Sequence, residues 1–295
     1  MTDIELIQMV LKSTKPSDIF SGDDWKRSYL NYSKLLHPDY HSNSLAAEAM
    51  TKINQYKEIL EKGVLYVDEA GEFRVFEKRI EYVVTDANRK IITKSVNNYN
   101  ILKSKHDKAS EAFHRYMPES MKLEKNKLTI YLKDRSIPLT GQKLSQVHVN
   151  WIFSRMFEYV LWLRQINYAH LGLNPTTVFV VPETHGIIII NYYHMHNVNS
   201  RAETISAKYK MWYPTNLFVN KIATPDIDLE LCKKIALYLL GDKSSAGTKL
   251  KSDANVNQNI LNFLLTKHKN DKDEYLQYRD LLKKNFESKF YSLDL

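Results

Sequence analysis

Apolar positions recur at helical spacing through the first sixty or so residues. IELIQMVLK (4–12) sets its apolar side chains three and four apart. STKPSDIFSGDD (13–24) is a polar loop with Pro16 and Gly22, and it closes on aspartates that suit a helix start. DWKRSYLNYSKLL (24–36) puts Trp25, Tyr29, Tyr32 and Leu36 on one face. HPDYHSNS (37–44) breaks the pattern. LAAEAMTKINQYKEILEK (45–62) resumes it, with Met50, Ile53, Ile59 and Leu60 on the buried side and Gly63 as a stop.

The period then changes. Residues 64–96 alternate, as in FRVFEKRIEYVVT and KIITKSV, which predicts strands joined by turns at DEAGE and TDANRK. A helix is expected over 104–116, a short strand at LTIYL (128–132), and a long apolar helix over 142–169. VFVVP and GIIII (178–190) predict a strand pair turning at ETHG. Residues 226–241 and 255–290 are mainly helical, with a polar loop at 242–254. The order is three helices, a strand-rich block, then a helix-rich block. That is an α+β chain of two domains, 1–63 and 64–295, and no internal repeat is present.

Composition narrows the function classes. The 295 residues hold 42 Lys and Arg against 34 Asp and Glu, a net charge of +8. Residues 1–63 carry a net of −1, residues 64–240 a net of +7 and residues 241–295 a net of +2, so the basicity belongs to the middle. It invites a nucleic-acid reading through phosphate contacts, but no recognition motif accompanies it, and solvated lysines are the favoured explanation. Only 8 glycines are present, and none lie close together, which excludes a glycine-rich phosphate cradle. A single cysteine, Cys232, excludes an internal disulfide and a cysteine-built zinc site. No apolar run reaches spanning length, and MTDIELIQ carries acids where a signal peptide carries bases. The expectation is a cytoplasmic protein with no membrane partner.

His37-Pro38-Asp39 sits between two helical segments. With MTKINQYKEIL (50–60) behind it and Lys26, Arg27 and Lys34 ahead of it, residues 1–63 resemble the J domain of Hsp70 co-chaperones. Ile53, Asn54 and Leu60 match the family's third helix, whereas Met50 and Lys57 depart from its aromatic positions. The resemblance implies a bundle of three or four helices. In it, His37, Pro38 and Asp39 stimulate an Hsp70 (DnaK) ATPase, while Lys26, Arg27 and Lys34 dock on an acidic partner surface.

The second domain resembles a protein kinase. YAHLGLNPTTVFV (168–180) is similar to the catalytic loop, with His170, Leu173, Pro175, Val178, Phe179 and Val180 at matching offsets. Tyr213-Pro214-Thr215 takes the place of A-P-E, and Asp228 that of an aspartate bracing the loop. The resemblance implies a strand-rich N-lobe at about 64–138 and a helical C-lobe at about 139–295. Ile91-Ile92-Thr93-Lys94 matches the V-A-I-K strand, with Glu111 as the expected partner of Lys94. The chemistry is missing, however. The catalytic aspartate is Gly172, the loop lysine is Asn174, and the metal-binding asparagine is Thr177. D-F-G falls on Asn191–Tyr193 or on Tyr192–His194, and no aspartate lies between Thr184 and Glu203.

These positions predict a pseudokinase, not an enzyme, with no cofactor and no metal. The whole chain then reads as a J-domain co-chaperone whose kinase-like domain is an adaptor for an unidentified client. Two alternatives remain beside it: an atypical nucleotide-binding phosphoryl- or nucleotidyl-transferase built around Lys94, and a basic nucleic-acid-binding adaptor. His185, His194 and His196 offer a metal site only if the fold converges them. Cys232 is expected to be a buried small hydrophobe. Tyr192 and Tyr193 either pack the cleft or form a stacking surface with Arg201 and Lys208.

Overall fold

The computed structural model describes residues 2–20, 24–37, 44–287, 289 and 291–295. Pro38 and Asp39 of the expected Hsp70 contact lie outside the described residues. The chain divides into two compact units. One comprises residues 1–66 with 74–77 and 294–295, and the other comprises 67–73 with 78–293.

The first unit is helical. Helix α1 (Asp3–Lys12) begins in a capping box, where the Thr2 hydroxyl accepts from the Glu5 amide at 3.3 Å and the Glu5 carboxylate accepts from the Thr2 amide at 2.8 Å. A 3-10 turn, Pro16–Asp18, leads toward α2 (Trp25–Leu35), and α3 (Ser44–Lys62) follows. Ala46, Ala49, Ile53 and Tyr56 form the buried stripe of α3, at spacings of three and four. The expected Met50, Ile59 and Leu60 are only partly buried against that core, because small alanines let α1 approach closely. From α2 come the partly buried Trp25, Tyr29 and Tyr32, and just beyond its end the fully buried Leu36. Polar ties fix the packing. Tyr29 donates to the Asn54 side chain at 2.8 Å, and the Lys52 ammonium donates to the Leu11 and Ser13 carbonyls at 3.0 and 2.7 Å, closing the end of α1.

A five-stranded sheet follows, built from β1 (Val64–Asp68), β2 (Gly71–Val75) and β3 (Arg79–Val83), then β4 (Ser120–Leu123) and β5 (Lys127–Tyr131). Its strand order is β1-β2-β3-β5-β4. β3 and β4 both run antiparallel to β5, with Ile80 and Met121 each opposite Ile130. Two helices, α4 (Asp86–Lys103) and α5 (Lys108–Phe113), lie between β3 and β4 in the chain.

Helix α4 corrects the sequence reading. KIITKSV was expected to be strand and TDANRK a turn, yet Thr85 and Asn88 form a capping box, and Ile92, Val96, Tyr99 and Leu102 bury one face at helical spacing. The β-branched run imitated a strand, but the apolar period over the longer window is helical.

The remainder is helix-rich. β6 (Ile137–Pro138) precedes α6 (Gln146–Gln165), which is followed by β7 (Tyr168–Ala169), β8 (Val178–Val181), β9 (Gly186–Ile189) and β10 (His196–Asn197). The last helices are α7 (Thr215–Asn220), α8 (Pro225–Leu239), α9 (Gln258–Leu265) and α10 (Lys272–Asn285). α6 packs along α8, and both bury long apolar faces, as central helices must. β6, β8 and β9 form one small sheet, and β7 pairs with β10. These ladders present residues 170–177 and 190–195 on one side of the α6–α8 core.

Candidate functional site

The loop after β7 is held from below by a buried carboxylate. Asp228, in the first turn of α8, accepts the His170 amide at 2.6 Å and the Leu171 amide at 2.7 Å. This is the bracing role expected of it. Burial pushes its carboxyl up to about 7, and the two amide hydrogen bonds oppose that rise. Leu171 takes a left-handed φ of 55°, and its carbonyl accepts the Tyr213 hydroxyl at 2.6 Å, which ties the Tyr213-Pro214-Thr215 segment to the same loop.

The side chains that would do chemistry in this loop are turned to structural work. Asn174 donates to the Gly172 carbonyl at 3.1 Å and accepts from the Thr176 amide and hydroxyl at 2.8 and 2.6 Å. The Thr177 hydroxyl donates to the Gly172 carbonyl at 3.0 Å and accepts the Asn174 amide at 2.9 Å. Both residues are fully buried. Gly172 lies against His194, so a Cβ built there would meet the ring Cδ2 at 2.9 Å and the His194 Cβ at 3.2 Å. An aspartate at that position requires His194 to move.

Three rings line up above the loop. His170 lies 5.7 Å from Tyr192, and Tyr192 lies 6.0 Å from Tyr99 of α4. Ser95 accepts the Tyr192 amide at 3.0 Å, and the Asn98 amide donates to the Tyr192 carbonyl at 2.7 Å. Burial holds His170 down to about 3 and His194 down to about 4, so both rings are neutral at physiological pH.

The cleft above these rings is filled by a polar network. Asp68, at the end of β1, accepts from the Tyr82 hydroxyl at 2.8 Å, from the Asn191 amide group at 2.6 Å and from the Ala70 amide at 2.7 Å. The Asn191 side chain also donates to the Tyr82 hydroxyl at 3.0 Å. Tyr193 donates to the neighbouring Glu69 at 3.1 Å, and the Ser206 hydroxyl donates to the other Glu69 oxygen. Burial pushes Asp68 up to about 6, against the pull of its hydrogen bonds. In the register Asn191–Tyr193 the first D-F-G position is this amide, facing Asp68 and Tyr82 of β3. Tyr192 and Tyr193 are buried, so they form no stacking surface with Arg201 and Lys208.

Lys94 stands elsewhere than expected. It lies on α4, not on a strand, and pairs with Glu203 at 3.2 Å beside His196 at 3.5 Å. Glu111 is an exposed residue of α5 and makes no ion pair with Lys94, because the helix that follows the strand is α4 rather than 104–116. β3 contains no lysine and α4 no glutamate; the β3 side chain reaching the cleft is Tyr82.

The three histidines do not converge. His185 stacks on Trp151 at 4.5 Å, His194 contacts Thr204 at 2.9 Å, and His196 accepts the Glu203 amide at 3.3 Å. Among the described residues no group of three His, Cys, Asp or Glu side chains is placed to hold a metal ion. Cys232 is buried in α8, where burial pushes its thiol up.

In the first unit, Lys26, Arg27 and Lys34 are all exposed on α2, and His37 is exposed just past its end. At about 100° per residue, position 34 falls between 26 and 27 around the helix, so the three cations share roughly 100° of arc.

No protein-family model and no curated protein matches the chain. A rhoptry kinase from Toxoplasma gondii superimposes with a TM-score of 0.51 at 12% identity, covering 75% of this chain and 80% of that one. The fold is protein-kinase-like. A Toxoplasma gondii specific rhoptry antigen kinase domain is also similar, with a TM-score of 0.46 at 14% identity, covering 75% of this chain and 78% of that one. Among the described residues no helix is long and apolar enough to cross a membrane.

A kinase-like fold implies a magnesium nucleotide, and the cleft residues do not fit one. Phosphoryl transfer uses a lysine and glycine-loop amides for the phosphates and an aspartate for the metal. Here the β1–β2 turn presents two carboxylates, Asp68 and Glu69, toward that space. The side chain at the metal aspartate's position is an amide already donating to Asp68. The signal for this plug was present in the sequence as DEAGE, an acidic turn with one glycine where a phosphate loop would stand.

Proposed function

We propose that this chain is a J-type co-chaperone. Residues 1–63 recruit an Hsp70 and stimulate its ATPase, and the kinase-like body binds a client or assembly partner without transferring phosphate. The observation that carries the first half is that α2 and α3, which flank His37-Pro38-Asp39 in the sequence, share one core, while Lys26, Arg27 and Lys34 stand exposed on one arc of α2. A basic helix steers an acidic partner surface to the loop beside it, and Asp39 there suits pairing with a partner arginine. Asp39 hydrolyses nothing itself.

The second half rests on the cleft. Without a β3 lysine, a base at Gly172 or a metal carboxylate at Asn191, no charge stabilises a transferring phosphoryl group. The transferase alternative loses its residue, since Lys94 lies on α4 and pairs with Glu203.

The test is the steady-state ATPase rate of an Hsp70 with and without this protein. Stimulation by the parent that His37→Gln abolishes supports the reading. Equal stimulation by the two, or none by either, removes it.

A further inference from the structure

Residues 201–221 turn Ser206 and Tyr213 inward, to Glu69 and the Leu171 carbonyl, and leave an outer face beside them. The segment is pinned at its ends: Arg201 bridges Ile222, and the Ala202 amide donates to the Lys221 carbonyl at 2.7 Å. Between them runs a groove of about 500 Å³ floored by Ile205, Leu217 and Phe218. Beside it Met211 is 91% exposed and Val219 80% exposed. Lys210 places its ammonium 5.7 Å from the Phe218 ring centre, so the Met211 turn and α7 make one continuous face. Isolated exposed apolar residues are ordinary, but a contiguous set beside a groove marks a binding surface.

The charge on this face is one-sided. Arg201, Lys208, Lys210 and Lys221 are exposed and have no ion-pair partner among the described residues. The carboxylate in the groove, Glu203, is neutralised by Lys94 at 3.2 Å. Unpaired cations around an apolar floor call for anionic groups flanking apolar anchors. A concave floor suits inserted side chains better than a flat lipid surface does.

We propose that this face docks an acidic segment of a partner protein, with one or two large aliphatic side chains seated on Ile205, Leu217 and Phe218. The inference deepens the adaptor reading of the body and rests on it. Hsp70 stimulation, measured on the same variants, separates failure of the docking face from failure of that reading.

The experiment is fluorescence anisotropy on the full chain. The probe is a short labelled peptide rich in glutamate with two leucines one helical turn apart. Counter-probes carry lysine for glutamate or serine for leucine, and vesicles of phosphatidylcholine with and without phosphatidylserine test the lipid alternative. Saturable binding of the acidic leucine peptide alone, weakening with salt, is expected. Lys208→Glu with Lys210→Glu weakens it about tenfold or more, and Met211→Ser with Val219→Ser weakens it about fivefold or more. Lys249→Glu with Lys251→Glu leaves it unchanged. All these side chains are exposed, and equal unfolding temperatures verify that the variants fold. Absence of saturable binding overturns the proposal, as does indifference to charge reversal at Lys208 and Lys210. Capture by phosphatidylserine vesicles in place of the peptide overturns it too.

Discussion

Replacing Gly172 with alanine tests the geometry of the loop directly. The new Cβ meets His194 Cδ2 at 2.9 Å and His194 Cβ at 3.2 Å, closer than ordinary van der Waals contact. His194 cannot swing aside cheaply. It is 2% exposed, its Nδ1 lies 2.9 Å from the Thr204 hydroxyl, and its ring packs edge-on against Tyr193 at 4.6 Å. Overpacking of this kind costs about 1–3 kcal/mol. Reduced freedom of the unfolded chain returns about 0.4–1 kcal/mol. A net loss of about 1–2 kcal/mol follows, or roughly 2–8 °C in unfolding temperature for a domain of this size. Urea unfolding of the full chain, followed by tryptophan fluorescence, reads it, since Trp151, Trp162 and Trp212 all lie in the second unit. The decisive comparison is a double-mutant cycle with His194→Ala. Removing the ring removes the clash, so Gly172→Ala in that background costs less than about 0.5 kcal/mol, a coupling of about 1 kcal/mol. An identical cost in both backgrounds refutes the steric account. The same clash, with a buried carboxylate added, means that Gly172→Asp destabilises the domain instead of restoring a catalytic base.

Asp228→Ala strands the His170 and Leu171 amides, and a loss of about 2–4 kcal/mol is expected in thermal unfolding, partly recovered by Asp228→Asn; no loss contradicts the brace. The pH profile of stability carries opposing contributions. Asp68 is raised to about 6 from its ordinary 3.8, so the folded state holds its proton across that window, and the stability it contributes fades as pH rises through it. His170 and His194 are lowered from 6.5, so their contribution is lost as pH falls below 6.5. Asp68→Asn therefore steepens the rise of unfolding temperature between about pH 4 and 6, and an unchanged slope counts against a buried, proton-holding Asp68. Magnesium ATP at millimolar concentration produces no rise in unfolding temperature. A rise of the size that ligand linkage gives for binding well below that concentration contradicts the plugged cleft.

The parts legible in the sequence were those set by local spacing. The offsets of His170, Leu173 and Pro175 and the aspartate in the first turn of α8 were enough to place the loop and its brace, because backbone amides need a buried acceptor wherever a loop is held this way. The helices of the first unit were legible from their apolar period. Lys94 was misplaced because IITK reads as strand over four residues and as helix only over eighteen, and a short window cannot weigh Tyr99 and Leu102 against two isoleucines. The cleft network was the least legible. Asp68, Tyr82, Asn191 and Ser206 are separated by up to more than a hundred residues, and only the sheet and the α6–α8 core bring them into hydrogen-bonding reach. Ser95 and Asn98 carried no motif either, since their role is to meet the backbone of a distant segment.

The central claim is that ATP turnover belongs to the partner and the trigger to residues 37–39. Its most direct measurement is hydrolysis of labelled ATP by the full chain alone, by an Hsp70 alone and by the two together, with Asp39→Asn in parallel. The account predicts no turnover by the chain alone, several-fold faster turnover in the mixture, and no acceleration with Asp39→Asn. Turnover by the chain alone, or acceleration that survives Asp39→Asn, contradicts it.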